Sequence, residues 1–285
     1  MPLAPLLRSL ALASALLLAL AADAAAQVIW RGRSGGFDIT WSEDDVTARR
    51  VSDGAPVLSL RRQFAKEWDR PRGEDENEVR EVYQAFRVLS VVGSVVSLEE
   101  AWYCDCGGAH PIAYAGFVAY DLARSTVDRP DTASISRLVD EAPLVRALSA
   151  DRVIRAALDS AGVREVDTLA ALLDTAQWIG VNVETPHLGD DCWYSMSDGF
   201  PGHFALHHVE GDRVAVRFSL SHDVEICRGR MVQVGVLVPI PPRLRSALTA
   251  AEGRTAGFLM KDLERLAFDR WTTFEWEPRK PAAGR

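Results

Sequence analysis

Val82-Tyr83-Gln84-Ala85-Phe86-Arg87-Val88-Leu89-Ser90-Val91-Val92-Gly93-Ser94-Val95-Val96-Ser97-Leu98-Glu99-Glu100-Ala101-Trp102-Tyr103-Cys104-Asp105-Cys106 decides the fold class of this chain. Two β-branched and aromatic runs, Val82 to Val92 and Val95 to Cys106, flank a Gly-Ser pair, which is the pattern of an antiparallel hairpin. Ala113 to Leu122, rich in Tyr and Phe, supplies a third strand. Upstream, Phe37 to Trp41 and Val57 to Leu60 read as short strands, and the acidic, Pro-containing stretch Asp69 to Glu78 as a solvated loop.

Downstream the period changes. Leu138 to Leu158 and Thr168 to Trp178 are helix-favouring, with Leu144, Leu148 and Val153, then Leu169, Leu172, Leu173 and Ala176, at helical spacing. Alternation returns at Arg213 to Leu220, where Val214, Val216, Phe218 and Leu220 share one face, and again from Val232 to Ile240. Pro239, Pro241 and Pro242 end that strand, and a helix is expected from Arg243 that extends through Leu259 to Leu266. Strands, then helices, then strands without a βαβ alternation make the class α+β: an antiparallel β-sheet with helices packed on one side.

The first 26 residues set the compartment. Arg8 provides a positive start, Leu10 to Ala22 an apolar run, and Ala24-Ala25-Ala26 a small-residue cleavage site, which together read as a secretory signal peptide. The run has 13 residues, short of the roughly 20 that span a bilayer. Cleavage leaves residues 27–277 as a single exported domain and 278–285 as a disordered tail, with no membrane span. The expected location is periplasmic or secreted. Of the 285 residues 48% are hydrophobic and 25% charged, ordinary globular proportions. The net charge of −8 argues against a nucleic-acid partner, since neutralising phosphates needs a basic face.

Export changes the reading of the four cysteines, Cys104, Cys106, Cys192 and Cys227. In an oxidising compartment they are disulfide candidates. Alternation on a strand points Cys104 and Cys106 to the same face, so each can reach a distant partner, Cys192 or Cys227. Such a bond closes a loop of roughly 90 to 120 residues and contributes on the order of 4 to 5 kcal/mol. The pairing Cys104 with Cys106 closes a very small ring and is the less expected one. The histidines His110, His187, His203, His207, His208 and His222, with Asp190, Asp191 and Asp223, offer a metal site as the competing reading. Against it, Cys104-x-Cys106 lacks the usual ligand gap, and the adjacent His207 and His208 should face opposite ways on a strand. No metal and no cofactor is therefore assigned.

The common catalytic signatures are absent: no G-x-S-x-G, no phosphate-binding G-x-x-x-x-G-K-[ST], no H-E-x-x-H and no G-x-G-x-x-G. Ser94, Ser195 and Ser221 could each be grouped with a His and an Asp, but chance supplies such trios in any chain of this size. Glu99-Glu100 and Asp190-Asp191 suggest a glycosidase pair, yet adjacent strand residues point apart.

Gly107-Gly108-Ala109-His110, which follows the hairpin, with the later Tyr120-Asp121-Leu122 and Ile135-Ser136-Arg137-Leu138, resembles the extracytoplasmic domain of unknown function shared by the lysozyme-sensing anti-sigma-V factor and some peptidoglycan deacetylases. Phe204 to Leu220 and Val232 to Leu248 are similar to that domain's closing strand, strand and helix, so the resemblance spans about residues 82–248. It implies an α+β fold that binds at the cell envelope without catalysis, in one member to lysozyme. Gly107, Gly108, His110, Tyr120 and Asp121 become the binding candidates. This chain departs from the family in its cleavable leader, its lack of a deacetylase domain after residue 248 and its four cysteines. The expectation is an exported binding domain for cell-wall material or a basic envelope protein such as lysozyme; the alternative is an envelope hydrolase or metalloprotein using the His/Asp/Cys cluster between residues 104 and 227.

Overall fold

The computed structural model describes residues 27–69, 79–176, 194–196, 199–222, 231–267 and 269–277. The first 26 residues, in which a signal peptide is expected, most of the acidic loop, residues 278–285, and Cys192, Cys227, His187, Asp190, Asp191 and Asp223 lie outside them. Among the described residues no helix is long and apolar enough to cross a membrane.

The chain is α+β, and among the described residues its strands form three four-stranded antiparallel sheets rather than one. The first is the meander β1 (Val28–Ser34), β2 (Phe37–Ser42), β3 (Val46–Arg50) and β4 (Pro56–Ser59). Helix α1 (Leu60–Trp68) follows at once, because Ser59 stops the strand and caps the helix, its Oγ accepting from Arg62 N at 3.1 Å. Such a cap contributes about 1 kcal/mol. The short strand expected through Leu60 therefore ends one residue earlier.

The second sheet is the quoted hairpin, β5 (Glu81–Val92) and β6 (Val95–Asp105), extended by β7 (Ile112–Asp121) on one edge. On the other edge lies β12 (Thr272–Trp276), a C-terminal strand that the periodicity does not announce. The third sheet joins β9 (Phe204–Glu210), β10 (Arg213–His222) and β11 (Val232–Pro239), with β8 (Tyr194–Ser195) at the end of β10.

The helical middle is more broken than its composition suggests. After the single turn α2 (Ile135–Leu138), Asp151 divides the expected Leu138–Leu158 helix into α3 (Glu141–Ala150) and α4 (Arg152–Ser160), its carboxylate accepting from Val153 N at 2.8 Å. Thr168 caps α5 (Leu169–Thr175). The expected long C-terminal helix is instead α6 (Pro242–Glu252), a turn containing Gly253 and Gly257, a 3₁₀ turn at Met260–Asp262, and α7 (Leu263–Ala267).

Two hydrophobic clusters hold the layers. One buries Leu144, Leu148, Ile154, Leu158 and Leu172 of the helices against Val214, Val216, Phe218 and Val238 of β10 and β11. The other joins Ile39, Trp41 and Leu58 of the first sheet to Phe64 of α1 and to Val82, Phe86, Leu98 and Phe274 of the central sheet. Ser219 Oγ accepts from Phe117 N at 2.7 Å, and Ser90 Oγ from Leu206 N at 3.3 Å, tying the third sheet to the second.

The tip of the β5–β6 hairpin is a steric bottleneck. At Gly35 an added Cβ would lie 2.3 Å from the carbonyl carbon of Gly93, and at Gly257 (φ +92°) it would lie 2.0 Å from Val91 O. Phe258, next in the chain, exchanges both backbone hydrogen bonds with Val91, at 2.9 and 3.0 Å. Gly36 also has a positive φ of +86°, but no heavy atom stands within 4 Å of its Cβ position. Gly257→Ala should therefore lose about 2 to 4 kcal/mol, adding a clash to the backbone cost, while Gly36→Ala loses about 1 kcal/mol. Denaturant midpoints measure both, and equal losses would contradict the bottleneck.

Candidate functional site

At the opposite end of the central sheet the strands splay aromatic side chains onto both faces. Directly paired residues share a face, so Phe274, Gln84, Trp102 and Tyr114 form one row and Trp276, Val82, Cys104 and Ile112 the next. Phe64 and Trp68 of α1 lie over this face, 5.3 Å from the Phe274 ring and 6.2 Å from the Trp276 ring respectively. Tyr83 and Tyr103 are cross-strand partners on the reverse face. Trp102, Tyr103, Tyr83, Tyr114 and Trp276 are all half-buried, and Ile112 is 50% exposed. Aromatic rings with one surface packed and the other wet are surfaces on which ligands stack.

The Gly107–His110 segment borders this end. Cys104, fully buried, is joined by a disulfide to Cys106, with 5.2 Å between their Cα atoms. The expected long-range bridge from these two cysteines is thus replaced by a local one. Alternation aims both thiols to one side, as expected; β6 then stops at Asp105 and Gly107 turns with φ +83°, leaving each sulfur's nearest partner two residues away. Gly108 does not use a positive φ. His110 is exposed. In the unreduced protein, one tryptic peptide spanning residues 88–124 should carry both cysteines, lighter by the two hydrogens lost on oxidation; a cross-link from it to the Cys192 or Cys227 peptide would contradict the pairing.

Between the aromatic rows and the packed tip sits Glu100. Glu99 and Glu100 point apart, as adjacent strand residues must. Glu99 accepts from Arg87, whose guanidinium lies 4.8 Å above the Trp271 ring. Glu100 turns to the other face, opposite Gly116, and its Oε1 accepts from Gln84 Nε2. Tyr114 folds back along its strand until a Cβ on Gly116 would overlap its hydroxyl, so a glycine is needed there to let the phenol approach. Burial pushes the Glu100 carboxyl above the usual range, with Glu67 of α1 adding to the effect. Burial, and then the Glu100 charge, push Tyr114 up to about 12 and raise Tyr120 as well. The result is a carboxyl whose proton affinity is raised by burial, set near phenols whose proton affinity is raised too, a cluster of donors and acceptors for a polar ligand.

The other candidates scatter. Tyr120 and Asp121 lie at the far end of β7 from Gly107, Gly108 and His110, so the five do not converge. Asp121 is occupied structurally: its Oδ1 accepts from Ser94 Oγ at 2.8 Å and from Ala123 N at 3.1 Å. That contact also gives Ser94 an Asp partner without a histidine. Ser195 and Ser221 pair across β8 and β10. His203 is half-buried, and burial lowers its proton affinity. His207 and His208 do not face opposite ways, because β9 bulges at His207: Ala215 of β10 pairs with His208 and Val216 with Leu206, leaving His207 as the extra residue. Among the described residues no three His, Cys, Asp or Glu side chains gather as a metal cluster. A groove of about 450 Å³ between α3 and β11, lined by Arg146, Arg213 and Pro239 among others, contains none of the candidates.

Gln84 and Tyr114 are not among the sequence candidates, and Glu100 enters only with Glu99 as a discounted glycosidase pair, although Leu98-x-Glu100-x-Trp102 places the acid in phase with the apolar face. No family model, curated protein or solved structure matches the chain.

A raised carboxyl pKa stabilises the fold at low pH, and that contribution is lost as pH rises through the folded value. Glu100→Gln removes the ionisation while its amide oxygen can still accept from Gln84. Melting temperatures should rise relative to the parent at pH 7, with the difference vanishing near pH 4. A variant less stable at pH 7 than at pH 4, relative to the parent, would show instead that the ionised form is the favoured one.

Proposed function

We propose that this chain is an exported, non-catalytic binding domain of the cell envelope, and that it engages cell-wall material through the aromatic end of the central sheet. The observation that carries the reading is the set of half-buried rings, Tyr83, Trp102, Tyr103, Tyr114 and Trp276, around the Gly107–His110 segment. Sugar rings stack on such faces, and on the Trp102 face the Gln84 amide and the Tyr114 hydroxyl can complement sugar hydroxyls. The leader-like first 26 residues and the resemblance over residues 82–248 support the location and the class of partner. The net charge of −8 favours a second reading, a basic envelope protein such as lysozyme held by complementary charge.

Cosedimentation with insoluble peptidoglycan tests the first reading. The parent should pellet with the wall, and Tyr103→Ala or Tyr83→Ala should weaken retention about tenfold, whereas Val51→Ala, at an exposed apolar residue in the turn after β3, should not. No retention, combined with a saturable calorimetric titration by lysozyme at physiological salt, would favour the second reading. Release of soluble wall fragments would overturn the non-catalytic assignment.

A further inference from the structure

β11 is the outer strand of the third sheet: among the described residues it pairs with β10 alone. The ladder fixes which of its backbone groups face outward. Ile240 N donates to Asp212 O at 2.9 Å, so residues 212 and 240 form a hydrogen-bonded pair, and in an antiparallel ladder such pairs alternate with non-bonded ones. Val238, Val236 and Val234 therefore bond to β10, while Pro239, Leu237, Gly235 and Gln233 turn their main chain away from it. On the other side of β10, Ser219 N donates to His203 O at 3.0 Å, which is the complementary phase. Pro239 agrees with this reading, because proline is tolerated at an edge where its missing N–H would face out.

The groove of about 450 Å³ follows this edge. Pro143, Arg146 and Ala147 of α3 line it from one face of the sheet and Arg213 from the other, with Gly235, Val236, Leu237 and Pro239 between them. Arg217 adds a third cation: it lies across Gly235, where an added Cβ would meet its Nη1 at 2.6 Å. Among the described residues none of the three arginines has an ion-pair partner. The nearby acids are engaged elsewhere. Asp151 caps α4, accepting from Val153 N and Ile154 N, and Glu210, opposite Arg213 in register, lies 3.9 Å from His208.

We infer that this edge docks an extended acidic peptide of a partner protein, which adds to β11 as a further strand and sets its carboxylates on Arg146, Arg213 and Arg217. Residues 235 to 239 span about 13 Å, room for four or five ligand residues. The outward N–H and C=O groups of Gly235 and Leu237 exchange backbone hydrogen bonds with the ligand, the source of affinity when a strand is added to a sheet. Alternation sends neighbouring ligand side chains to opposite faces, one towards Arg146 and the other towards Arg213 and Arg217. A guanidinium matches the two oxygens of a carboxylate, so acidic sequences are selected. A second copy of this chain is disfavoured as the occupant, because two β11 edges brought together gather both sets of arginines along one seam.

The test is titration of the full chain with the end-capped peptide Glu-Glu-Val-Glu-Glu, which carries acid on both faces, followed by heteronuclear NMR. The amides of Gly235 and Leu237 should shift and gain protection from exchange. Arg146→Glu and Arg213→Glu should each weaken binding about tenfold or more. Leu237→Pro removes one outward N–H and no bond to β10, and it should abolish binding. The same peptide with an N-methylated backbone, or with lysine in place of glutamate, should not bind. Absence of binding, affinity unchanged in both arginine variants, or shifts confined to the aromatic end of the central sheet would overturn the assignment. Equal binding of the N-methylated peptide would overturn it too, leaving a plain anion site, as would a concentration-dependent dimer that Leu237→Pro dissociates. Should a variant fail to fold, the N-methylated and unmodified peptides compared on the parent chain decide the question.

Discussion

The tip of the β5–β6 hairpin touches every layer of the molecule. Gly35 of the β1–β2 turn abuts the backbone of Gly93, and Ala247 of α6 closes on Gly93 at 3.4 Å from its Cβ position. Ser94 binds the Asp121 carboxylate, and Leu122 N donates to Ser94 O at 2.8 Å. Phe258 is stitched to Val91, and the neighbouring Ala256 carbonyl accepts from Ser34 Oγ at 3.4 Å. Backbone approaches this close leave no space for side chains, so each layer is positioned by the others at this point. One end of the central sheet is thereby clamped. Its other end, where β6 runs out at Cys104–Cys106, is the end that can meet a ligand.

That polarity gives meaning to where the rings lie. Rings near the clamp, such as Phe117 and Phe258, are fully buried and serve packing. Rings at the far end keep a wet surface, and Glu100 sits between the two regimes, buried enough for its proton affinity to rise and close to the aromatic rows. A buried carboxyl without a cation partner is costly. The hydrogen bond from Gln84 offsets part of that cost, and the same groups are ones that a polar ligand can use.

The strand pairing was legible where the hydrophobic period ran long: Val82 to Cys106, Ala113 to Leu122, Arg213 to Leu220 and Val232 to Ile240 all appear as strands within a residue or two. It was not legible where a single polar residue overrode composition. Ser59 and Asp151 each cap a helix inside what reads as a continuous element, and the Gly253–Gly257 turn interrupts an otherwise helical stretch. β12 escaped notice because five residues, only two of them buried, carry too little pattern; it is its pairing with β5 that makes it a strand. The local disulfide and the paired histidines share one cause. Strict alternation was extended to Cys104, Cys106, His207 and His208, but the first pair sits at a strand end and the second on a bulge, where nearest neighbours win. Gly107, Gly108 and His110 were legible as a turn; their company of aromatic residues is a property of register across four strands, which no linear reading contains.

Hydrogen exchange monitored by mass spectrometry, with and without soluble peptidoglycan fragments, tests the polarity of the sheet most directly. Ligand should slow exchange in residues 81–85, 101–106, 112–116 and 272–276, at the aromatic end, and leave the tip around residues 91–96 and 119–122 unchanged. Protection confined to the tip, with the aromatic end unaffected, would contradict the account.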